Sequence, residues 1–510
     1  MAPGASAALL YLLLACLVYW PVAPFDNSHI VSCACSDPAQ ETWFLAWTSF
    51  AVTHGLNPFF TTYLHAPAGA NLGVTATTPF LGLIGLPVTL AIGPVATFNL
   101  LLRLALAASG TSMFLVLRRY VRWPVAAFAG GLLFAFSPFM IGHGYRHLLL
   151  TFLPILPLLL ALVDDWLITC RRSALRSGLL IGLACAVEYL ISGEVLLMSA
   201  TLGAVLLIVL AVRHPVASRQ RARRAVEGFL SAAGVFVLLA GYPIWMLLYG
   251  PQRIIGPPHA LSDLDRYHGD LLAPIVPTLN QLVAPLRFSR IGSTFVAGSP
   301  IENGLYLGIP LLMVLAFFAV RYRNVGIIAI STIAGVIAFA LSLGTPLLVD
   351  NHRITAVPMP FSILLRAPLL QDIEPARFSL FVPFAASILL AVGLDRLRAD
   401  EWRWRSRTSD PPSQTVVAAR VPPSVRSSLL SGGLLVVALV PLIPRLPIPS
   451  VPVGVPSFFL TAEVRAIPAG ALALTFPYDK SPFNDPMLWQ ASSTMRFRIF
   501  GGDAFVPGPA

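Results

Sequence analysis

Charge is what this sequence has least of. Only 11% of its 510 residues are Asp, Glu, Lys or Arg, against 56% hydrophobic, and the mean hydropathy is +0.77. Soluble domains carry about 25% charged residues. A chain this apolar cannot cover itself with polar surface, so a soluble globular fold is excluded and lipid must be its solvent. Lysine is nearly absent: Lys480 is the only one among 34 basic residues. The five cysteines, of which only Cys33 and Cys35 fall in a predicted outer loop, are too few for a disulfide scaffold. No glycine-rich nucleotide-phosphate loop occurs, which argues against a nucleotide-linked substrate.

Long apolar runs are what the chain does have. A helical span needs about 20 mostly apolar residues. Eleven segments qualify: 5–23, 94–117, 124–141, 148–166, 177–192, 195–212, 226–249, 304–320, 325–344, 378–394 and 428–444. A twelfth, 78–93, is short and broken by Pro79, Pro87 and Gly93, and reads as an interfacial segment. The expected fold is therefore an all-α polytopic membrane protein with a transmembrane domain over 1–444. Residues 445–510 form a small α+β tail, with short strands at Ala471–Tyr478 and Met495–Phe500. The chain stops soon after the second of these, so the tail is a candidate for being incomplete.

The arginines orient the spans. With the N-terminus cytoplasmic and 78–93 not crossing, 20 of the 34 basic residues fall in five inside loops, around Arg118–Arg122, Arg171–Arg176, Arg213–Arg224, Arg321–Arg323 and Arg396–Arg426. The first outside loop, 24–77, holds none. The basic balance is thus topological, and no nucleic-acid module is present. The loop 395–427 reads as a disordered basic linker near anionic lipid. The C-terminus, and the stretches 24–93, 250–303, 345–377 and 445–510, are expected outside the plasma membrane. Counting His143 and His147 in the short turn between two spans, eight of the nine histidines are expected outside, His214 being the exception, which makes the outer face the candidate active face.

The first outer loop reads Cys35-Ser36-Asp37-Pro38-Ala39-Gln40-Glu41, followed by Trp43, Phe44 and Trp47 at helical spacing. Asp37 can cap a helix with Pro38 at N1 and Gln40 at N3. The aromatics suit a helix lying in the membrane interface. An acid at that boundary can serve as general base toward a hydroxyl or hold a divalent cation near a phosphate. A second candidate is the turn Ser137–His147. Arg146 suits a phosphate, and His143 and His147, four apart, would share one helix face for a proton or a metal. Glu188 and Glu194 lie at the outer end of the fifth span, and Arg103 sits inside the second, either snorkelling outward or meeting an anion. Lesser clusters are His259, Asp263, Asp265 and His268, and Gln371, Asp372, Glu374 and Arg377, the latter read as helix-end charges.

An acid just after the first span, an amphipathic helix, and a Pro-rich interfacial segment resemble the layout of the GT-C superfamily of polyprenyl-phosphate-sugar glycosyltransferases. The wording of Ser36–Gln40, Trp43–Trp47, Gly55–Phe60, Phe136–Met140, Ile191–Val195 and Tyr249–Ile254 is similar to actinobacterial-type membrane proteins described as glycosyltransferase-like. The resemblance implies a GT-C-like bundle and transfer of a hexose or pentose from a polyprenyl-phosphate donor. The acceptor would be an extracytoplasmic cell-envelope glycan, lipid or protein. It puts Asp37 in the catalytic or metal-binding role. Gln40, Glu41, Arg103, His143, Arg146, His147 and Glu194 are then candidate substrate contacts, and a divalent cation is a candidate cofactor. The chain departs from the superfamily pattern in having no second acid in 137–147. A transporter or lipid flippase is the competing class. It predicts internal repeats and polar groups at mid-membrane, whereas the polar groups here gather at the outer boundary.

Overall fold

The computed structural model describes residues 3–32, 36–75, 77–256, 258, 266–367, 369–408, 425–479 and 483–508. Each of the eleven apolar segments carries a helix. They are α1 (Pro3–Val18), α4 (Pro94–Leu117), α5 (Pro124–Ala135), α8 (Ile155–Val163), α9 (Ala174–Ile191), α10 (Gly193–Arg213) and α11 (Pro215–Tyr249). After the long loop that follows α11 come α12 (Ile309–Arg321), α13 (Gly326–Ser342), α14 (Phe381–Thr408) and α15 (Val425–Leu439). Two further helices lie between α1 and α4: α2 (Asp37–Thr53) and α3 (Pro79–Ala91), the latter occupying the segment read as non-crossing. Several helices begin on a proline, whose fixed φ and missing N–H suit a first helical position. Among the described residues, six helical stretches are long and apolar enough to cross a membrane, and six more are apolar but shorter.

Two expected spans are interrupted. The segment 124–141 stops at Phe136. Ser137 then accepts from Met140 N at 3.3 Å and starts a new short helix, α6 (Pro138–His143). The segment 148–166 opens as a four-residue turn, α7 (Leu148–Thr151), breaks at Pro154, and runs through α8 into a π-helical turn over Asp164–Ile168. The first break leads into the turn that carries the site described below; at the second, Ser109 accepts from Leu153 N and Ser112 donates to Pro154 O.

The expected linker 395–427 is helical through Thr408, and only 409–424 lie outside the described residues. Cys33, Cys35, His259, Asp263 and Asp265 lie outside them too.

One end of the bundle is fastened by the arginine-rich connections. Asp165 pairs with Arg119 and lies 3.2 Å from Arg172 Nε, Arg321 Nη2 is 3.0 Å from Asp400 Oδ2, and Asp395 accepts from the N–H groups of Arg122 and Trp123. All these residues come from connections assigned to one side by the charge pattern.

At the opposite end, the C-terminal tail closes over α2. Strand β1 (His29–Val31) pairs antiparallel with β2 (Ser450–Pro452), and β3 (Ala471–Ala473) pairs parallel with β4 (Phe497–Ile499). Trp43, Phe44 and Trp47 are buried against Met487, Ala491, Phe497 and Ile499. Trp43 Nε1 donates to Gln490 Oε1 at 2.5 Å. This corrects the reading of α2 as a lipid-facing interfacial helix. Its aromatic stripe is the floor of a small core shared with the tail, because a protein surface with a hydrogen-bond acceptor for the indole N–H covers it better than lipid would.

Candidate functional site

The site forms where five chain segments meet at the tail-covered end. Asp37 is the first residue of α2, so Ser36 rather than Asp37 holds the capping position. The Asp37 carboxylate accepts from Arg146 Nε and lies 3.9 Å from His147 Nε2. Arg146 and His147 belong to the turn between α6 and α7. Tyr19, at the end of α1, steadies that turn by donating to Gly144 O at 2.8 Å.

The hub is a residue that reading the sequence missed. Glu302 comes from the loop before α12 and is only 2% exposed at its side chain. Its carboxylate faces His143 Nε2 at 3.1 Å, His147 Nε2 at 3.3 Å, Arg146 Nη1 at 3.8 Å and Arg377 Nε at 4.0 Å. Gly142 lets this loop approach, since a Cβ there would stand 2.7 Å from Ile301 O. Burial opposes ionisation of Glu302, but His143, His147 and Arg377 outweigh it and hold the carboxyl well below the usual range. The only signal in the sequence was an acid abutting the apolar run at 304, the mirror of Asp37 following the first one.

Arg377, just before α14, extends the network. It binds Glu194 Oε2 at 2.6 Å and Glu374 Oε1 at 3.1 Å. Read from sequence as helix-end charges, Arg377 and Glu374 are instead part of one continuous chain of ion pairs from Asp37 to Glu194. Burial pushes the Glu374 carboxyl up to about 8, with Glu302 and Glu194 adding to it against Arg377. Burial likewise pushes His147 down to about 4, so it is neutral near pH 7.

The sequence candidates thus divide. Asp37, His143, Arg146, His147 and Glu194 converge through Glu302 and Arg377. Glu41 is adjacent, but one oxygen accepts from Leu148 N at 2.7 Å, and burial pushes its carboxyl well above the usual range. Gln40 turns toward the tail and donates to Asp503 O at 2.6 Å. Arg103 stands apart. It is 1% exposed and spends its guanidinium on the carbonyls of Asn99, Tyr19 and Val22, so it fastens α4 to the end of α1 rather than reaching an anion. Glu188 is buried on α9 with neither oxygen hydrogen-bonded.

A divalent cation does not fit these donors. Asp37, Glu194, Glu302 and Glu374 each already face a guanidinium, and no three His, Cys, Asp or Glu side chains among the described residues gather as a metal site. What the arrangement can do is hold an anion against a partly exposed guanidinium and offer a carboxylate beside it. Asp37 and Arg146 are 17% and 25% exposed at their side chains, against 2% for Glu302 behind them.

Comparison with solved structures places this architecture. The oligosaccharyltransferase of Archaeoglobus fulgidus superposes with a TM-score of 0.50 at 12% identity, over 98% of this chain and 64% of that one. The same enzyme tethered to an acceptor peptide containing an NVT sequon gives 0.51 at 13% identity over the same shares. The arabinofuranosyltransferase AftD from Mycobacteria gives 0.47 at 16% identity, over 99% of this chain and 32% of that one. The chain therefore spans less than two thirds of the archaeal enzyme's length and about a third of the mycobacterial one's. The fold is the GT-C-like membrane bundle. No curated protein matches the chain in sequence. A family model, described as a domain of unknown function, matches residues 7–368, which include Asp37, the His143–His147 turn, Glu194 and Glu302. With more than two thirds of its length in that match, the chain belongs to the DUF6311 family.

Proposed function

We propose that this protein is a membrane glycosyltransferase that takes a sugar from a polyprenyl-phosphate donor. It works at the outer face of the plasma membrane, with the N-terminus cytoplasmic and the C-terminal tail outside. The acceptor is an extracytoplasmic cell-envelope molecule. One observation carries the reading: the partly exposed carboxylate of Asp37 is set against the partly exposed guanidinium of Arg146 over the buried Glu302, at the end of the bundle opposite the arginine-rich connections. The fold it shares with an oligosaccharyltransferase supports the same class of chemistry.

In this mechanism the donor phosphate pairs with Arg146, which releases Asp37 from that ion pair. Asp37 then accepts the proton of the acceptor hydroxyl as its oxygen bonds to the anomeric carbon. The bond from that carbon to the phosphate oxygen breaks, and polyprenyl phosphate leaves with the electron pair, its charge met by Arg146. Buried Glu302 holds Arg146 in line, and His147, neutral near pH 7, lies against both Glu302 and Asp37. Inversion at the sugar carbon follows from attack opposite the leaving group.

The test is sugar transfer in membranes from labelled polyprenyl-phosphate sugars, wild type against Asp37→Asn. General-base loss of this kind lowers transfer by about 10²–10⁴-fold. Equal transfer by the two removes Asp37 from the mechanism.

A further inference from the structure

Buried polar atoms without a hydrogen-bond partner gather around Arg377. Glu194 Oε2 and Glu374 Oε1 bind its two Nη atoms. Their other oxygens, Glu194 Oε1 and Glu374 Oε2, have no partner, and neither has Arg377 Nε. Ser379 Oγ, two residues on, is in the same condition. A buried polar atom left so is costly to the fold. Four within one small region of the site mark a surface built to be completed by something that binds.

The chemistry of these atoms narrows what binds. Two carboxylates, Glu194 and Glu302, already face the one guanidinium, so a further anion such as phosphate is repelled there. The guanidinium occupies the centre that a metal ion would need. The orphan atoms are mixed: carboxylate oxygen accepts, Arg377 Nε donates, and Glu374, with its carboxyl at about 8, carries a proton to donate near neutrality. Hydroxyl groups, each both donor and acceptor, answer a mixed set of this kind. Tyr267 is held against the same cluster, its carbonyl accepting from Ala376 N at 3.0 Å, and adds a half-buried aromatic ring.

We infer that Glu194, Arg377 and Glu374 form the subsite for the hydroxyls of the donor's sugar, leaving the phosphate to Arg146. This rests on the functional reading above. The two guanidiniums flank one carboxylate, Glu302, at 3.8 and 4.0 Å, so a sugar on Arg377's side and a phosphate on Arg146's side would be neighbours, as they are in a sugar phosphate.

The test separates the two halves of the donor. The purified protein in nanodiscs is titrated with polyprenyl phosphate alone and with polyprenyl phosphates carrying mannose, glucose or arabinofuranose. The wild type should bind one sugar-bearing lipid about tenfold or more tightly than the bare lipid. Glu194→Gln should abolish that preference and leave binding of bare polyprenyl phosphate unchanged. Glu374→Gln, an isosteric replacement for an acid that is already protonated, should fold normally and reduce the preference about threefold. Equal weakening of bare and sugar-bearing lipids by these variants, or a preference that survives both, overturns the subsite while leaving the functional reading standing. If no polyprenyl phosphate binds the wild type, the functional reading falls and the subsite with it.

Discussion

Glu302 is the residue on which the ionic floor depends, and its removal gives a decisive perturbation. Replacing it with Gln keeps the volume and deletes one charge that faces two arginines and two histidines. Removing one member of a buried ion pair costs about 3–5 kcal/mol, because the partner is left buried and uncompensated. Here both arginines keep an outer carboxylate, Asp37 or Glu194, so the loss should fall at the lower end, about 3 kcal/mol. Part of the deficit is recovered by Glu374, whose carboxyl Glu302 helps to hold up and which should ionise at lower pH in the variant. Unfolding by denaturant in detergent micelles, followed by tryptophan fluorescence, measures the change. The sign of its pH dependence follows from linkage: the Glu302 carboxyl is depressed in the folded state, so its contribution is present above the unfolded value and is lost as pH falls through the folded one. The gap between wild type and Glu302→Gln should therefore be widest near neutrality and close in acid. A loss under about 1 kcal/mol, the worth of an exposed ion pair, would refute the claim that Glu302 is the hub.

Three further outcomes are expected. Asp479 is fully buried with neither oxygen hydrogen-bonded, and burial together with Asp503 and Asp485 pushes its carboxyl up from 3.8 to about 7. Its contribution is complete below about 3.8 and is lost as pH rises through about 7, so the denaturation midpoint of Asp479→Asn should gain on that of wild type across this range; parallel pH curves would contradict this. Trp43→Ala should cost about 3–5 kcal/mol and loosen the tail, raising the rate at which protease cuts the chain beyond 445, whereas Trp43→Phe should lose about 1 kcal/mol for the bond to Gln490. On α9, Cβ atoms at Gly178 and Gly182 would stand 2.3 Å from Gly228 O and 2.4 Å from Ala232 O of α11. Gly182→Leu should force these helices apart at about 1–3 kcal/mol, read as a lower midpoint of thermal unfolding; an unchanged midpoint would show that the contact is dispensable.

What the sequence could say about the site was limited by distance along the chain. Asp37 was visible because it sits beside an apolar run and before a proline, and the His143–His147 turn because its polar residues are consecutive. Glu302 was not, since it is a lone charge whose partners lie 75 or more residues away, and the cluster holding Arg377 gave no sign of its distant partners Glu194 and Glu302. The clearest misreading, the aromatic stripe of α2, has the same origin. Trp43 and Trp47 announce that one face is buried, but not whether lipid or the tail buries it.

Hydrophobicity and charge are summed locally, so the sequence alone fixed the solvent, the eleven apolar helices, and the separation of an arginine-rich end from an acid- and histidine-bearing one. Which ionic groups meet is settled only when the helices pack, because a buried charge is tolerable only beside an opposite one. The tertiary structure therefore decided that Glu302 joins both arginines, that Arg103 is consumed by backbone carbonyls, and that the tail completes the first outer loop.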